Sequence, residues 1–333
     1  MPFFKRAKLE AEERPPQPVM IPVVVGVVVC LLVLGSIFRH IPLMLESMFI
    51  NVQHPLIYKF PAYSKLLPQI VKYPFVDYQQ IQKSKLLDEA VSELAKTSPE
   101  DLEDDKQRFT FWINAYNMLV LKAIMEKYPL ERLNEKSLTR SFSSTRYFVG
   151  GRGLSLEEIK RYELFPRLHN KPTALFLICN GAIGSPPLLD HAITAETFDE
   201  DAENAARKFV NDKHNVSYDP DHKTFVVSPL LKWNEELFAQ YGGPAEFANK
   251  YRKSHLDLHS IDVLFVSFAR NFNWFLNDLA LQKVEEDDGP IISPAEPEHK
   301  PESNPEINPE NKPENKKDVT APNKEPAPAS PAK

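Results

Sequence analysis

The chain has 333 residues, with 40 Lys and Arg against 46 Asp and Glu, and a formal net charge of −6. Residues 285–333 hold 12 acids and 6 bases, so the rest is charge-balanced and lacks the clustered bases that phosphate backbones require; no nucleic acid partner is expected. The two cysteines, Cys30 and Cys179, are too few for a disulfide framework or a thiolate zinc site, and neither metal nor cofactor is expected.

Residues 1–18 form a polar N-terminus carrying Lys5, Arg6, Lys8 and Arg14. Val19 to Phe38 then reads VMIPVVVGVVVCLLVLGSIF, without a charge. At 1.5 Å per residue this run spans a bilayer core of about 30 Å, and it exceeds the roughly 7–15 apolar residues of a secretory signal. It predicts an uncleaved transmembrane helix over 19–38, with the lipid bilayer as its partner. Four bases precede it and Arg39 is the next after it, which places the N-terminus in the cytoplasm and the C-terminal domain outside. Residues 39–75 read as a membrane-proximal connector. Within it, Ile41–Val52 fits either a headgroup-level amphipathic piece or a connector packed on the domain.

A globular domain is predicted over 76–282. Ser98-Pro99-Glu100 predicts an N-cap with proline at the first helical position, and the helix, or pair of helices, that follows carries FTFWINAYNMLVLKAIMEKYP up to Tyr128-Pro129. Tyr147–Leu154 predicts a hairpin around Gly150-Gly151, and Ser155–Glu158 a capping box. Thr173–Cys179 (TALFLIC) predicts a central strand buried on both faces. Thr197–Glu200 reads as a second capping box, opening a helix to about Asn211. Val216–Tyr218 and Thr224–Ser228 predict a hairpin, Ser228-Pro229 a helix ending at Tyr241-Gly242, and Ile261–Phe268 a late strand.

The fold class is α+β: one helix-rich globular domain with a small mixed sheet, behind one transmembrane helix. The tail over 283–333 is acidic and proline-rich. From Pro297 it repeats PEHK-PESN-PEIN-PENK-PENK, and a segment without aromatic residues cannot offset its ordering entropy. It is expected to be disordered, a spacer or a display segment for a protein or cell-envelope partner.

Two constellations could carry chemistry. Asn114 and Asn117 sit at i and i+3 on a helix that is apolar nearly all round, so both amides need buried partners. Either they fasten a neighbouring loop or they point into a pocket with Tyr116; buried amides more often serve backbone groups. The second is Cys179 to Pro187, with Asp190-His191 beyond it. Ser185, His191 and Asp190 are the types of a nucleophile, a base and an orienter, though closeness in sequence does not make a relay. Cys179, in an apolar run, reads as a buried thiol.

FWINAYN at 111–117, VGGRGLSLEEIK at 149–160, NGAIGSPPL at 180–188, ETFDEDAENAARKFVND, VVSPLLKWNEELF and FNWFLN resemble the domain-of-unknown-function 547 family, over about Val76 to Asn277. The family's central motif resembles HFALNCGAxSCPPL. Against it, the His position is Leu175, the two Cys positions are Asn180 and Ser185, and the preceding Asn is Cys179. Asn114, Tyr116, Asn117 and Arg152 match the family and, with Asn180, are the ligand-pocket candidates. The resemblance implies a scaffold kept without its reactive thiols. The expected function is an anchored domain that binds a ligand or envelope partner without catalysis. One alternative is a hydrolase or transferase of cysteine-peptidase-like ancestry, with Ser185 in place of the family Cys and His191 or a distant histidine assisting; its catalytic candidates are Ser185, His191 and Cys179. Another is a structural tether.

Overall fold

The computed structural model describes residues 20–133, 136–265 and 272–282. The expected polar N-terminus and nearly all of the expected tail lie outside the described residues. Helix α1 (Met20–Met48) is continuous, with Pro42 inside it. Among the described residues no helix is long and apolar enough to cross a membrane. The backbone of the expected span is described from Met20, but most of its side chains, those of 20–24, 26, 27, 33 and 35–38, are not.

The core begins ahead of Val76. Helix α2 (Pro61–Ile70) turns Tyr63, Leu66, Leu67 and Ile70 fully inward, so the second half of the expected connector belongs to the domain. A tight hairpin of β1 (Val71–Lys72) and β2 (Phe75–Val76) leads into α3 (Tyr78–Gln82) and α4 (Leu86–Lys96). Helix α4 is amphipathic, burying Leu87, Ala90 and Leu94 on one stripe.

Helix α5 (Asp105–Met125) is the axis of the domain. It does not start at Ser98-Pro99-Glu100 as expected. Ser98 Oγ donates to Asp101 and Glu100 instead of capping a helix, and Asp104, in an extended conformation, accepts from Gln107 N at 2.7 Å. The stronger cap wins, with Asp105 favourably placed in the first turn. Every residue from Phe109 to Leu121 is buried. Each large apolar side chain so buried contributes roughly 1.5–3 kcal/mol, which is why a helix without a polar face is stable only here. It ends just short of Tyr128-Pro129, as expected.

Helix α6 (Lys136–Ser144) precedes the hairpin of β3 (Tyr147–Val149) and β4 (Arg152–Leu154), which forms where Gly150-Gly151 predicts it. Both glycines have positive φ, +54° and +76°, which L-residues rarely adopt. The Ser155–Glu158 capping box forms as expected and opens the short α7 (Leu156–Glu158). A π-helix (Ile159–Leu164) and α8 (Phe165–Leu168) continue it.

The expected central strand at Thr173–Cys179 is a 3₁₀ helix, Pro172–Leu177. Periodicity alone cannot separate a short apolar run into strand or buried helix. Here Pro172 pre-sets the first turn, and the carbonyls close locally, with Ile178 N donating to Leu175 O. Helix α9 (Phe198–Val210) packs on this segment, with Phe209 and Phe247 flanking the Phe176 ring at 5.1 and 5.6 Å. Thr197 precedes α9, but its side chain makes no cap bond to the helix. Its hydroxyl accepts from Thr194 N instead.

A three-stranded mixed sheet follows: β5 (Val216–Asp219) pairs antiparallel with β6 (Thr224–Val227), which pairs in parallel with β7 (Asp262–Phe265). The helix expected over Ser228–Tyr241 breaks at Asn234 into α10 (Pro229–Trp233) and a 3₁₀ turn, Glu235–Tyr241. Asn234 departs from helical geometry and its amide donates back to Leu230 O. Helix α11 (Pro244–Tyr251) completes the packing. The result is helix-rich α+β, with one contiguous core and three small sheets among the described residues.

Candidate functional site

Helix α5 presents both motif asparagines to backbone. Asn114 Nδ2 donates to Thr110 O and Ile193 O, and Ile193 N donates to Asn114 Oδ1 at 3.0 Å. Asn117 Nδ2 donates to Leu177 O while Cys179 N donates to Asn117 Oδ1, both at 2.9 Å. The two amides thus satisfy the exit of the 3₁₀ helix and the loop ahead of α9, where no strand or helix could. Neither points into a pocket.

The glycine-bearing loop behind Cys179 is stitched to the end of the domain. Ile183 N donates to Phe275 O, Gly184 N to Asn273 O, and Asn277 N to Gly181 O. Gly181 has φ +87°, and a Cβ there would meet Ile124 Cδ1 at 2.5 Å, so only glycine fits. Asn180 turns its amide oxygen onto Ala182 N. Ser185 is buried, and its hydroxyl donates to Ala182 O at 2.9 Å. Its other neighbours are Asn180 N, Pro186 O and Cys179 Sγ at 3.9 Å. A serine nucleophile needs a base within about 3 Å. The structure does not join Ser185 to His191 by a hydrogen bond. Cys179 is buried, and burial pushes its thiol pKa up against the opposing Gly181 N–H, Ser185 and Asn277.

His191 lies instead in a cleft of about 280 Å³ with Leu188, Asn204 and Lys208. Its Nδ1 is 2.8 Å from Asp190 Oδ1 and its Nε2 is 3.2 Å from Asp201 Oδ1. An imidazole satisfies two acceptors only when both nitrogens carry protons. Burial opposes that charge, but the two carboxylates outweigh it and raise the His191 pKa above its ordinary value. Asp190 and His191, adjacent in sequence, do touch, and the pair ties a loop onto α9. Arg152 is half-exposed and paired with Glu100 and Glu163. Among the described residues no group of three or more His, Cys, Asp and Glu could hold a metal.

Two cavities flank α5. The larger, about 460 Å³, lies between Tyr58, Phe60, Phe111 and the Ile193 loop that Asn114 fixes. Its hydroxyls are spent internally: Tyr58 on Glu93, Ser64 on Lys59 O, Thr110 on Gln107 O. The other, about 370 Å³, is lined by Tyr116, Phe142, Leu156, Glu157, Lys160, Arg161 and Phe165. Tyr116 is 5% exposed, and among the described residues its hydroxyl has no hydrogen-bond partner. Burial, then the charges of Cys179 and Glu157, hold that phenol protonated. Of the residues expected in a pocket, Tyr116 alone lines one of these two cavities. Lys160 and Arg161 were not among those expectations. The local signal is only for the element that carries them: Pro166 inside a helical run lacks an N–H and crowds the carbonyl four residues back. The chain opens there into the π-helix, with Phe165 N donating to Lys160 O.

Comparison with known families places residues 99–210 in the family described as Protein of unknown function, DUF547. The match covers about a third of the chain, and the matched segment contains α5, the π-helix, the glycine loop and α9. Comparison with curated proteins and with solved structures gives no match.

Proposed function

We propose that this protein is a membrane-anchored, extracytoplasmic domain that binds a small ligand without catalysing a reaction. The observation that supports the reading is the cavity of about 370 Å³ beside α5, where Tyr116, Lys160 and Arg161 line the same space as Phe142, Leu156 and Phe165. The anchor is the Val19–Phe38 run, helical from Met20 onward, and Val28, Leu31, Leu32 and Leu34 stand exposed on it among the described residues. The acidic tail over 283–333 serves as the segment that meets an envelope partner. The serine-hydrolase alternative has little to stand on, because Ser185 is sealed among backbone carbonyls.

The test is a binding measurement on the full chain in lipid nanodiscs, by saturation-transfer NMR. The probes are 3-phenylpropionate, 3-phenylpropionamide and 3-phenylpropylamine. Saturable binding of at least one, lost when Arg161→Trp blocks the mouth from an exposed position, supports the reading. Absence of binding by all three, or indifference to Arg161→Trp, removes it. Retention of the full chain in membranes after an alkaline wash tests the anchor.

A further inference from the structure

The basic residues around the Tyr116 cavity divide into two groups. Arg146 pairs with Glu158, Arg152 with Glu100 and Glu163, and Arg167 with Glu163 and Asp105. Lys160 and Arg161, consecutive on the π-helix, have no ion pair among the described residues and both line the cavity. Lys160 Nζ stands 5.4 Å from the centroid of the Phe165 ring, a cation–π distance. Lys160 remains exposed, and partial desolvation against the cavity wall lowers its pKa, with Glu157 opposing. A six-residue π-helix is rare and recurs at functional sites.

The donors and the walls are complementary to one chemistry. Lys160, Arg161 and the Tyr116 hydroxyl can all donate, and no partner takes those bonds among the described residues. Phe142, Leu156 and Phe165 are apolar and would cover a hydrocarbon body. Glu157 offsets one of the two positive charges, leaving a surplus of one. We infer that this cavity is a site for an organic monoanion with a compact apolar body, its anionic head held by Lys160, Arg161 and the Tyr116 hydroxyl. The assignment rests on reading the same cavity as a ligand site and adds the charge of the ligand. Charge-assisted bonds of this kind are about twice as strong as neutral ones.

The experiment is calorimetric titration of the full chain in lipid nanodiscs with 3-phenylpropionate, 3-phenylpropionamide and 3-phenylpropylamine, which share a body and differ in charge. The carboxylate is expected to bind at least about tenfold more tightly than the amide, a ratio equal to about 1.4 kcal/mol. Lys160→Met and Arg161→Gln should each shrink that ratio, and Tyr116→Phe should weaken the carboxylate while leaving the fold intact. Equal affinity for the amide or the amine, or a ratio unmoved by Lys160→Met, overturns the anion assignment but leaves a ligand site. No saturable binding of any of the three at millimolar concentration overturns both.

Discussion

Asn114 and Ile193 lie 79 residues apart and exchange two hydrogen bonds, Asn114 Nδ2 to Ile193 O at 2.7 Å and Ile193 N to Asn114 Oδ1 at 3.0 Å. The amide acts on the loop as a neighbouring strand would, giving one donor and one acceptor to a backbone that has neither nearby. This makes the motif asparagines structural and leaves Tyr116, between them on the helix, as the one of the three that lines a cavity.

Asn114→Ala strands the Ile193 N–H and carbonyl in a buried setting. Each stranded group costs about 1–3 kcal/mol, so a loss of about 3 kcal/mol is expected. Urea denaturation followed by circular dichroism measures it. Tyr162→Ser, on an exposed position of the π-helix, is the control and should change stability by less than about 0.5 kcal/mol.

The Asp190–His191–Asp201 contact makes loop attachment depend on pH. The folded-state pKa of His191 lies above its ordinary 6.5, so the stabilisation is complete below that value and is lost as pH rises through the raised one. The thermal midpoint should fall between about pH 6 and pH 8, and His191→Gln should flatten that decline. A decline of the same size in the variant would assign it to another group.

Glu158 works in the opposite direction. Burial raises its pKa, but the Ser155 N–H and Arg146 outweigh burial and hold it below the ordinary 4.5. Its contribution is present above that value and is lost as pH falls through the lowered one. Ser155→Ala should cost about 1 kcal/mol at neutral pH. Thermal melts at neutral and acidic pH measure both effects.

Gly181→Ala should destabilise by more than about 1 kcal/mol, because φ +87° is combined with a Cβ contact of 2.5 Å to Ile124. Cys179 is expected to react with iodoacetamide only after denaturation, in a chain carrying Cys30→Ser so that one thiol is counted. Rapid alkylation of the folded chain would contradict the burial described here.

Most local elements were legible because their signals act at short range. The Gly150-Gly151 hairpin, the Ser155 capping box, the β5–β6 hairpin and the burial of α5 all follow from residues within a few positions of each other. The 3₁₀ helix at Pro172–Leu177 was not, since TALFLIC carries no period that separates a strand from a buried helix. The true start of α5 turned on a contest between two caps, Ser98 and Asp104, that only the hydrogen bonds decide. The asparagine partners were foreseen as backbone but not located, because Ile193 and Leu177 are brought there by tertiary packing. Lys160 and Arg161 were missed because nothing local says that two bases on a short helix lack carboxylate partners.

The most direct measurement follows Tyr116 itself. The full chain, labelled with 3-fluorotyrosine and held in lipid nanodiscs, is titrated with 3-phenylpropionate while its ¹⁹F spectrum is recorded. The Tyr116 resonance is identified by its absence in Tyr116→Phe. A saturable shift of that resonance, with Tyr58 beside the larger cavity and the buried Tyr63 unmoved, is the predicted result. A Tyr116 resonance that stays in place at saturation, or one that shifts no more than those of Tyr58 and Tyr63, would contradict the site.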